Sequence, residues 1–196
     1  VNEKALKGIK LIELTGKEPE YNLDPVLAYD FNSKCQEIPT TIQDTDYMIL
    51  YGYSGRFSKE ECKKIREYAD SKRLKVFCIG GVQDCCDKFI DCNPFEVIAY
   101  FQHADCVVTD TFHGTILSII THRDFATIIR SKGYGNSEKL SDLLKCLKLT
   151  NRILDNLESL EDIFNNYISY EITDSIIKNE RKHTYDYLEK QINING

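Results

Sequence analysis

Residues Asp105–Ile120 read DCVVTDTFHGTILSII: a short β-branched run, a polar hinge, then an apolar stretch that continues at helical spacing. A strand that is apolar on both faces has to be buried between two layers, so a run of this kind passing straight into a helix marks a parallel sheet covered by helices. Working outward, the same signature recurs at Tyr47–Tyr53 (YMILYGY), Lys75–Ile79 (KVFCI) and Phe125–Arg130 (FATIIR), with a weaker fifth run around Arg152–Leu154. The fold class expected is α/β, Rossmann-like, a mostly parallel sheet with helices on both faces.

The helices between these runs announce their starts. Ser58 followed by Glu61 makes a capping box, and Cys62, Ile65 and Ala69 then face the core. Asn93, Pro94 and Glu96 repeat the pattern, with Phe95, Ile98 and Phe101 as the apolar stripe. The third helix opens at Asp110 or Thr111, and further helices are expected near 137–147, 160–165 and 171–191. Before the sheet, Glu3 to Leu14 reads as a helix ended by Gly16, and Asp24-Pro25 as the start of an extended turn. The organisation expected is one domain over 1–196: a lead-in helix and connecting segment at 1–45, an α/β core at 46–170 and a C-terminal helix at 171–196.

A chain of 196 residues has the length of a single domain and buries about 70% of its unfolded surface, so it folds without disulfides or a structural metal. Its 25 Lys and Arg against 31 Asp and Glu leave a net charge of −6, which disfavours a general nucleic-acid or anionic-membrane binder. No run approaches the roughly 18 apolar residues of a membrane span, and the first residues carry no secretory pattern. A cytoplasmic protein is therefore expected, able to work at the inner face of a membrane. The eight cysteines are scattered and read as free buried thiols. Cys85, Cys86 and Cys92 lack the paired spacing of a metal site, and neither a metal nor a cofactor is expected.

Ligands of open parallel sheets sit outside the carboxyl ends of the strands, which directs attention to YGYSGR (51–56), GGV (80–82) and DTFHGT (110–115). No dinucleotide fingerprint or triphosphate loop is present in them. The third edge carries the most chemistry. Asp110, Thr111, His113, Gly114 and Thr115 lie where a strand enters a helix whose amides and dipole attract an anion, and the hydroxyls of Thr111, Thr115 and Ser118 are candidate donors. His113 in the first turn is expected to stay neutral until an anionic ligand supports its charged form, which would make it a ligand-dependent acid. Asp110 could orient His113 or cap the helix. Downstream, Arg123, Arg130 and Lys132 face a single acid, Asp124, and Arg130 and Lys132 follow the next strand on the same edge.

The string ADCVVTDTFHGTILSII (Ala104–Ile120) resembles the polysaccharide pyruvyl transferases, which usually carry Ser where Thr111 stands. The flanks EKALKGIKLIELTG, LDPVL and LSDLLKCLKLTNR are similar as well, so the likeness covers nearly the whole chain, while Asn2 and Lys139 stand where members often have Arg. The resemblance implies the C-terminal lobe of a two-lobe, glycosyltransferase-type fold, with the N-terminal lobe of the same protein as partner. It implies transfer of an enolpyruvyl unit from phosphoenolpyruvate to a sugar of a cell-surface polysaccharide or its lipid-linked precursor, closing a pyruvate ketal and releasing phosphate. His113 matches the motif histidine and is the candidate acid; Lys132 and Arg130 fall where the donor's anionic groups need cations, with Thr111, Gly114, Thr115 and Asp110 building the helix-start site. The isolated lobe is expected to bind weakly and turn over poorly. Two rival readings remain open: a glycosyltransferase with a nucleotide-sugar donor, for which Glu138 is the nearest ribose-binding acid, and a non-catalytic glycan- or partner-binding lobe.

Overall fold

A computed structural model of the chain describes Gly16 and residues 22–130, 137–154 and 160–194. The helix expected at 3–14 lies outside them. The chain groups into two compact units: residues 30–174, and a smaller unit that joins the segment up to Tyr29 with the chain from Ser175 onward.

In the larger unit five strands form one sheet: β1 (Tyr47–Tyr51), β2 (Lys75–Ile79), β3 (Lys88–Phe89), β4 (Cys106–Thr109) and β5 (Asp124–Thr127). Every pairing is parallel and the order is β3-β2-β1-β4-β5. Register places Tyr51 beside both Ile79 and Thr109, and Thr109 beside Thr127, so these residues form one row at the carboxyl edge. The chain builds outward from β1 to β3, then returns to the other side of β1 for β4 and β5. The reversal falls between β1 and β4, the switch point at which open sheets of this kind leave a crevice for ligands.

Both faces are covered. Met48, Leu50, Val76, Cys78, Cys106, Val108 and Ala126 share a core with Cys62, Ile65 and Ala69 of helix α3 (Lys59–Lys72) and Leu160 and Ile163 of α7 (Leu160–Asn165). On the opposite face Tyr47 stacks on Phe77 at 4.5 Å, and Tyr51 meets Phe101 of α4 (Pro94–His103) edge-on at 5.7 Å. Helix α5 (Phe112–Ile120) follows β4 directly. The capping boxes at Ser58/Glu61 and Asn93/Glu96 form as the sequence predicts.

Several expected elements differ. Asp24-Pro25 opens a one-turn helix, α1 (Pro25–Ala28), rather than an extended turn, because the Asp24 carboxylate accepts from Val26 N and Pro suits the first helical position. A second short helix, α2 (Phe31–Lys34), follows it. The two-residue β3 was not anticipated; both of its residues are exposed, so it leaves no apolar signal. The fifth run at Arg152–Leu154 is a 3-10 turn (Thr150–Arg152) followed by a lone bridge from Ile153 to Thr127. Arg152 is buried there because its guanidinium caps the end of α7, donating from Nη1 to Ile163 O at 2.8 Å and from Nη2 to Asn166 O. Helix α6 (Ser137–Cys146) precedes that turn, and α8 (Glu171–Ile194) ends the chain's regular structure.

The smaller unit holds α1 against the later part of α8. Arg181 Nε donates to Leu27 O at 2.7 Å, and the Thr184 hydroxyl accepts from Leu23 N at 3.2 Å, so side chains of the long helix satisfy backbone groups that the short helix leaves open. The cysteines are free, but only Cys62, Cys78 and Cys106 are buried; Cys146 is exposed and the other four half-buried, which corrects the expectation of uniformly buried thiols. Among the described residues no group of His, Cys, Asp and Glu is arranged to hold a metal ion, and no helix is long and apolar enough to cross a membrane.

The loops after β1 and β2 are in backbone contact. A Cβ built on Gly81 would lie 2.1 Å from Ser54 N and 2.7 Å from Gly52 O, neither of which can move aside like a side-chain tip. Gly81→Ala is therefore expected to lower the unfolding free energy by about 1–3 kcal/mol, the usual range for overpacking, as read from urea denaturation.

Candidate functional site

The crevice at the switch point is walled by the loop after β1 (52–57) and the turn from β4 into α5 (110–113). The Tyr51 ring lies beside Gly80 of the loop after β2 and Gly114 of α5. A Cβ on Gly114 would meet Tyr51 Cδ1 at 2.8 Å, and one on Gly80 would meet its Cζ at 3.6 Å. Gly114 is thus fixed by packing: its Cβ would also stand 2.3 Å from the Thr109 hydroxyl. Burial, with Tyr53 and Cys92 nearby, pushes the Tyr51 phenol above its ordinary pKa.

Helix α5 is buried along its whole length with one exception. Phe112 and Gly114–Ile120 are all inside, and His113 alone is exposed. The hydroxyls expected to serve a ligand are committed within the fold. Thr111 is the N-cap: its Oγ1 accepts from Gly114 N at 2.9 Å and lies 3.1 Å from the Thr109 hydroxyl. Thr115 donates to Thr111 O at 3.0 Å and pairs with the Thr127 hydroxyl at 2.9 Å, while Ser118 donates to Gly114 O. The helix is sandwiched by core on every side but one, so its hydroxyls find partners inward. They shape the turn that presents His113.

Asp110 takes a different place from either role expected of it. Its side chain has no exposed surface, and its Oδ2 accepts from Arg56 Nε at 2.6 Å and from Arg130 Nε at 2.9 Å. A buried carboxylate requires such partners, since an unpaired one would be strongly disfavoured. Arg130 in turn donates through Nη1 to Glu61 Oε1, and its guanidinium lies 5.2 Å from the Phe57 ring centroid. Its Nη2 is buried and finds no hydrogen-bond partner among the described residues. Burial pushes the Arg130 guanidinium down, and the bonds to Glu61 and Asp110 outweigh it, holding the group above its ordinary pKa.

Arg56 is the site residue that sequence reading missed. It lies outside the basic stretch around His113, and its ion pair spans 54 residues of chain. The one available signal was its position just after a strand end, in YGYSGR. Its loop is braced by the buried Gln83, which donates to Tyr53 O at 2.7 Å and accepts from Phe57 N at 3.2 Å. Arg123 sits apart from this edge, donating to the carbonyls of Thr121 and Ala104. Lys139 of α6 lies with its Nζ 3.6 Å from the centroid of Phe112, whose ring meets His113 edge-on, so this helix brings a further cation beside the histidine. Lys132 lies outside the described residues.

A family model described as polysaccharide pyruvyl transferase matches residues 7–132, a span that takes in Arg56, Asp110, His113 and Arg130. Among solved structures, the glycotransferase of kitacinnamycin is similar at 13% identity with a TM-score of 0.49; the likeness covers 81% of this chain and 46% of that one. No curated protein matches.

Glu61 offers a direct check on this network. Burial raises its pKa, but the bonds from Arg130 and from the Ser58 amide outweigh that and hold the carboxyl below its ordinary 4.5. The unfolded chain therefore takes up this proton first as pH falls. The stability that Glu61 contributes is complete above about pH 4.5 and is lost as pH drops through the lower folded value. Glu61→Gln keeps an acceptor for the capping box and loses the ion pair. Urea unfolding followed from about pH 6 to about pH 3 is expected to show a shallower loss of stability in the variant than in the wild type.

Proposed function

Because the chain belongs to the polysaccharide pyruvyl transferase family, we propose that it forms the donor side of a pyruvyl transfer from phosphoenolpyruvate to a sugar of a cell-surface polysaccharide or its lipid-linked precursor. The reading is supported by what one sheet edge carries: His113, the one exposed residue of α5, follows by three positions the Asp110 on which Arg56 and Arg130 are fixed.

In the proposed reaction a sugar hydroxyl adds to C2 of phosphoenolpyruvate as the methylene carbon takes a proton and becomes the methyl group. A second hydroxyl then replaces phosphate at C2, closing the ketal. Two hydroxyl protons leave; one is balanced by the methyl group and one by the released phosphate. His113 is the acid for the methylene carbon, a role that needs an accessible imidazole next to the anion it serves. Arg130, whose Nη2 has no partner among the described residues, and Arg56 take the carboxylate and phosphate, and Lys132 is assigned to the same anionic groups. Asp110, Thr111, Gly114 and Thr115 hold that geometry from behind, so that the cations and the helix start are in place before the donor arrives. The chain forms the C-terminal lobe in this reading, and the acceptor is completed by the rest of the protein.

Isothermal titration of phosphoenolpyruvate into the full-length protein tests the assignment. His113→Gln is expected to bind the donor within a few-fold of wild type and to lose turnover by about 100-fold or more. Arg130→Ala is expected to weaken donor binding by about 10- to 100-fold, the equivalent of one charge-assisted bond. Full turnover in His113→Gln, or selective binding of uridine diphosphate in place of phosphoenolpyruvate, would overturn it.

A further inference from the structure

The loop after β1 carries an exposed aromatic side chain, Tyr53, that the donor chemistry does not use. Tyr53 is 65% exposed, yet its backbone is among the most firmly held at this edge. Its carbonyl accepts from Gln83 Nε2 at 2.7 Å and from Arg56 N at 3.2 Å. The next residues are tied to the neighbouring loop by Gly55 N to Val82 O at 3.0 Å and Val82 N to Ser54 Oγ at 3.2 Å, and Gly81 presses against the Tyr53–Ser54 peptide. Gln83 is itself buried, with both ends of its amide given to this loop. A buried polar group thus fixes the backbone from which the exposed ring projects, which favours a preorganised contact.

We infer that Tyr53 is a stacking platform for a pyranose ring of the acceptor glycan, at the mouth of the crevice. Three observations fit a sugar. The ring is exposed and projects from tied backbone, so it offers a π face to the weakly positive C–H bonds of a pyranose at reduced ordering cost. Val82, 51% exposed on the linked loop, extends the apolar surface, and Ser54 and the Tyr53 hydroxyl border it with polar groups. The guanidinium carbon of Arg56 lies 5.5 Å from the Tyr53 ring centroid while its Nε holds Asp110, so a single side chain joins the platform to the turn that leads into His113. The inference rests on the proposed reaction for the identity of the ligand, and its test separates the two.

Saturation-transfer NMR on the full-length protein with the methyl glycosides of glucose, galactose, mannose and N-acetylglucosamine, in the presence of phosphoenolpyruvate, reads the contact directly. At least one glycoside is expected to receive saturation at its ring protons, with affinity about tenfold weaker in Tyr53→Ala and close to wild type in Tyr53→Phe. Calorimetric binding of phosphoenolpyruvate is expected to be the same in all three proteins. Absence of saturation in the wild type, saturation indifferent to Tyr53→Ala, or Tyr53-dependent saturation of the uracil of uridine diphosphate would each overturn the platform. Loss of phosphoenolpyruvate binding from the wild type, with sugar contact intact, would instead remove the donor reading and leave the platform standing.

Discussion

A carboxylate with no access to water, Asp110, governs the architecture of the crevice. Its burial is tolerable only with opposite charge in contact, and both arginines that supply it come from other strand ends: Arg56 from the loop after β1, Arg130 from the segment after β5. Three separate stretches of chain are thereby tied at one atom, Oδ2. A fourth joins through Glu61, whose carboxylate caps the first turn of α3 with one oxygen and holds Arg130 with the other. The helix start, the two loops and the end of the sheet form one braced assembly, and the exposed His113 stands three residues along the chain from its centre.

Much of this was legible before the coordinates. Strands such as Lys75–Ile79 have apolar residues on both faces, and burial in a two-layer sandwich leaves that mark on the sequence without ambiguity. Capping boxes are equally local, since Ser58 and Glu61 satisfy one another's amides within a single turn. Strand ends were overrun where periodicity continued past the pairing partner. FATIIR remains apolar to Ile129, but β4 ends at Thr109, and after Ile128 N has bonded to Thr109 O no partner strand is left.

The site was legible in position and less so in role. Attention to strand ends singled out His113 and Arg130 as residues of the carboxyl edge, because chain position decides that question. The partner of Asp110 is decided by long-range geometry. Both arginines are sequence-distant, and nothing in DTFHGT distinguishes a carboxylate that caps a helix from one that turns away to meet them. The threonines misled for a related reason. A hydroxyl at a helix start suits a ligand or the fold equally well, and here the near-total burial of α5 turns Thr111 and Thr115 inward.

The same geometry revises how an acidic chain would attract an anion. Arg56 and Arg130 are matched by Asp110 and Glu61, so the four side chains sum to zero charge within a protein of net charge −6. What the network would offer an anionic donor is fixed direction: Arg130 has its Nε and Nη1 occupied by carboxylates, which orients the planar guanidinium, while its buried Nη2 has no hydrogen-bond partner among the described residues. An N–H held in place with no acceptor needs no reorganisation when an oxygen arrives, and in a water-poor setting that counts for more than an equal charge on a mobile side chain. Neutrality also limits the hold on unrelated polyanions, whose many phosphates respond to net charge more than to the aim of single donors. The pairing holds both arginines on Asp110 and one of them on Glu61, and removing either carboxylate would increase the local charge while loosening that geometry.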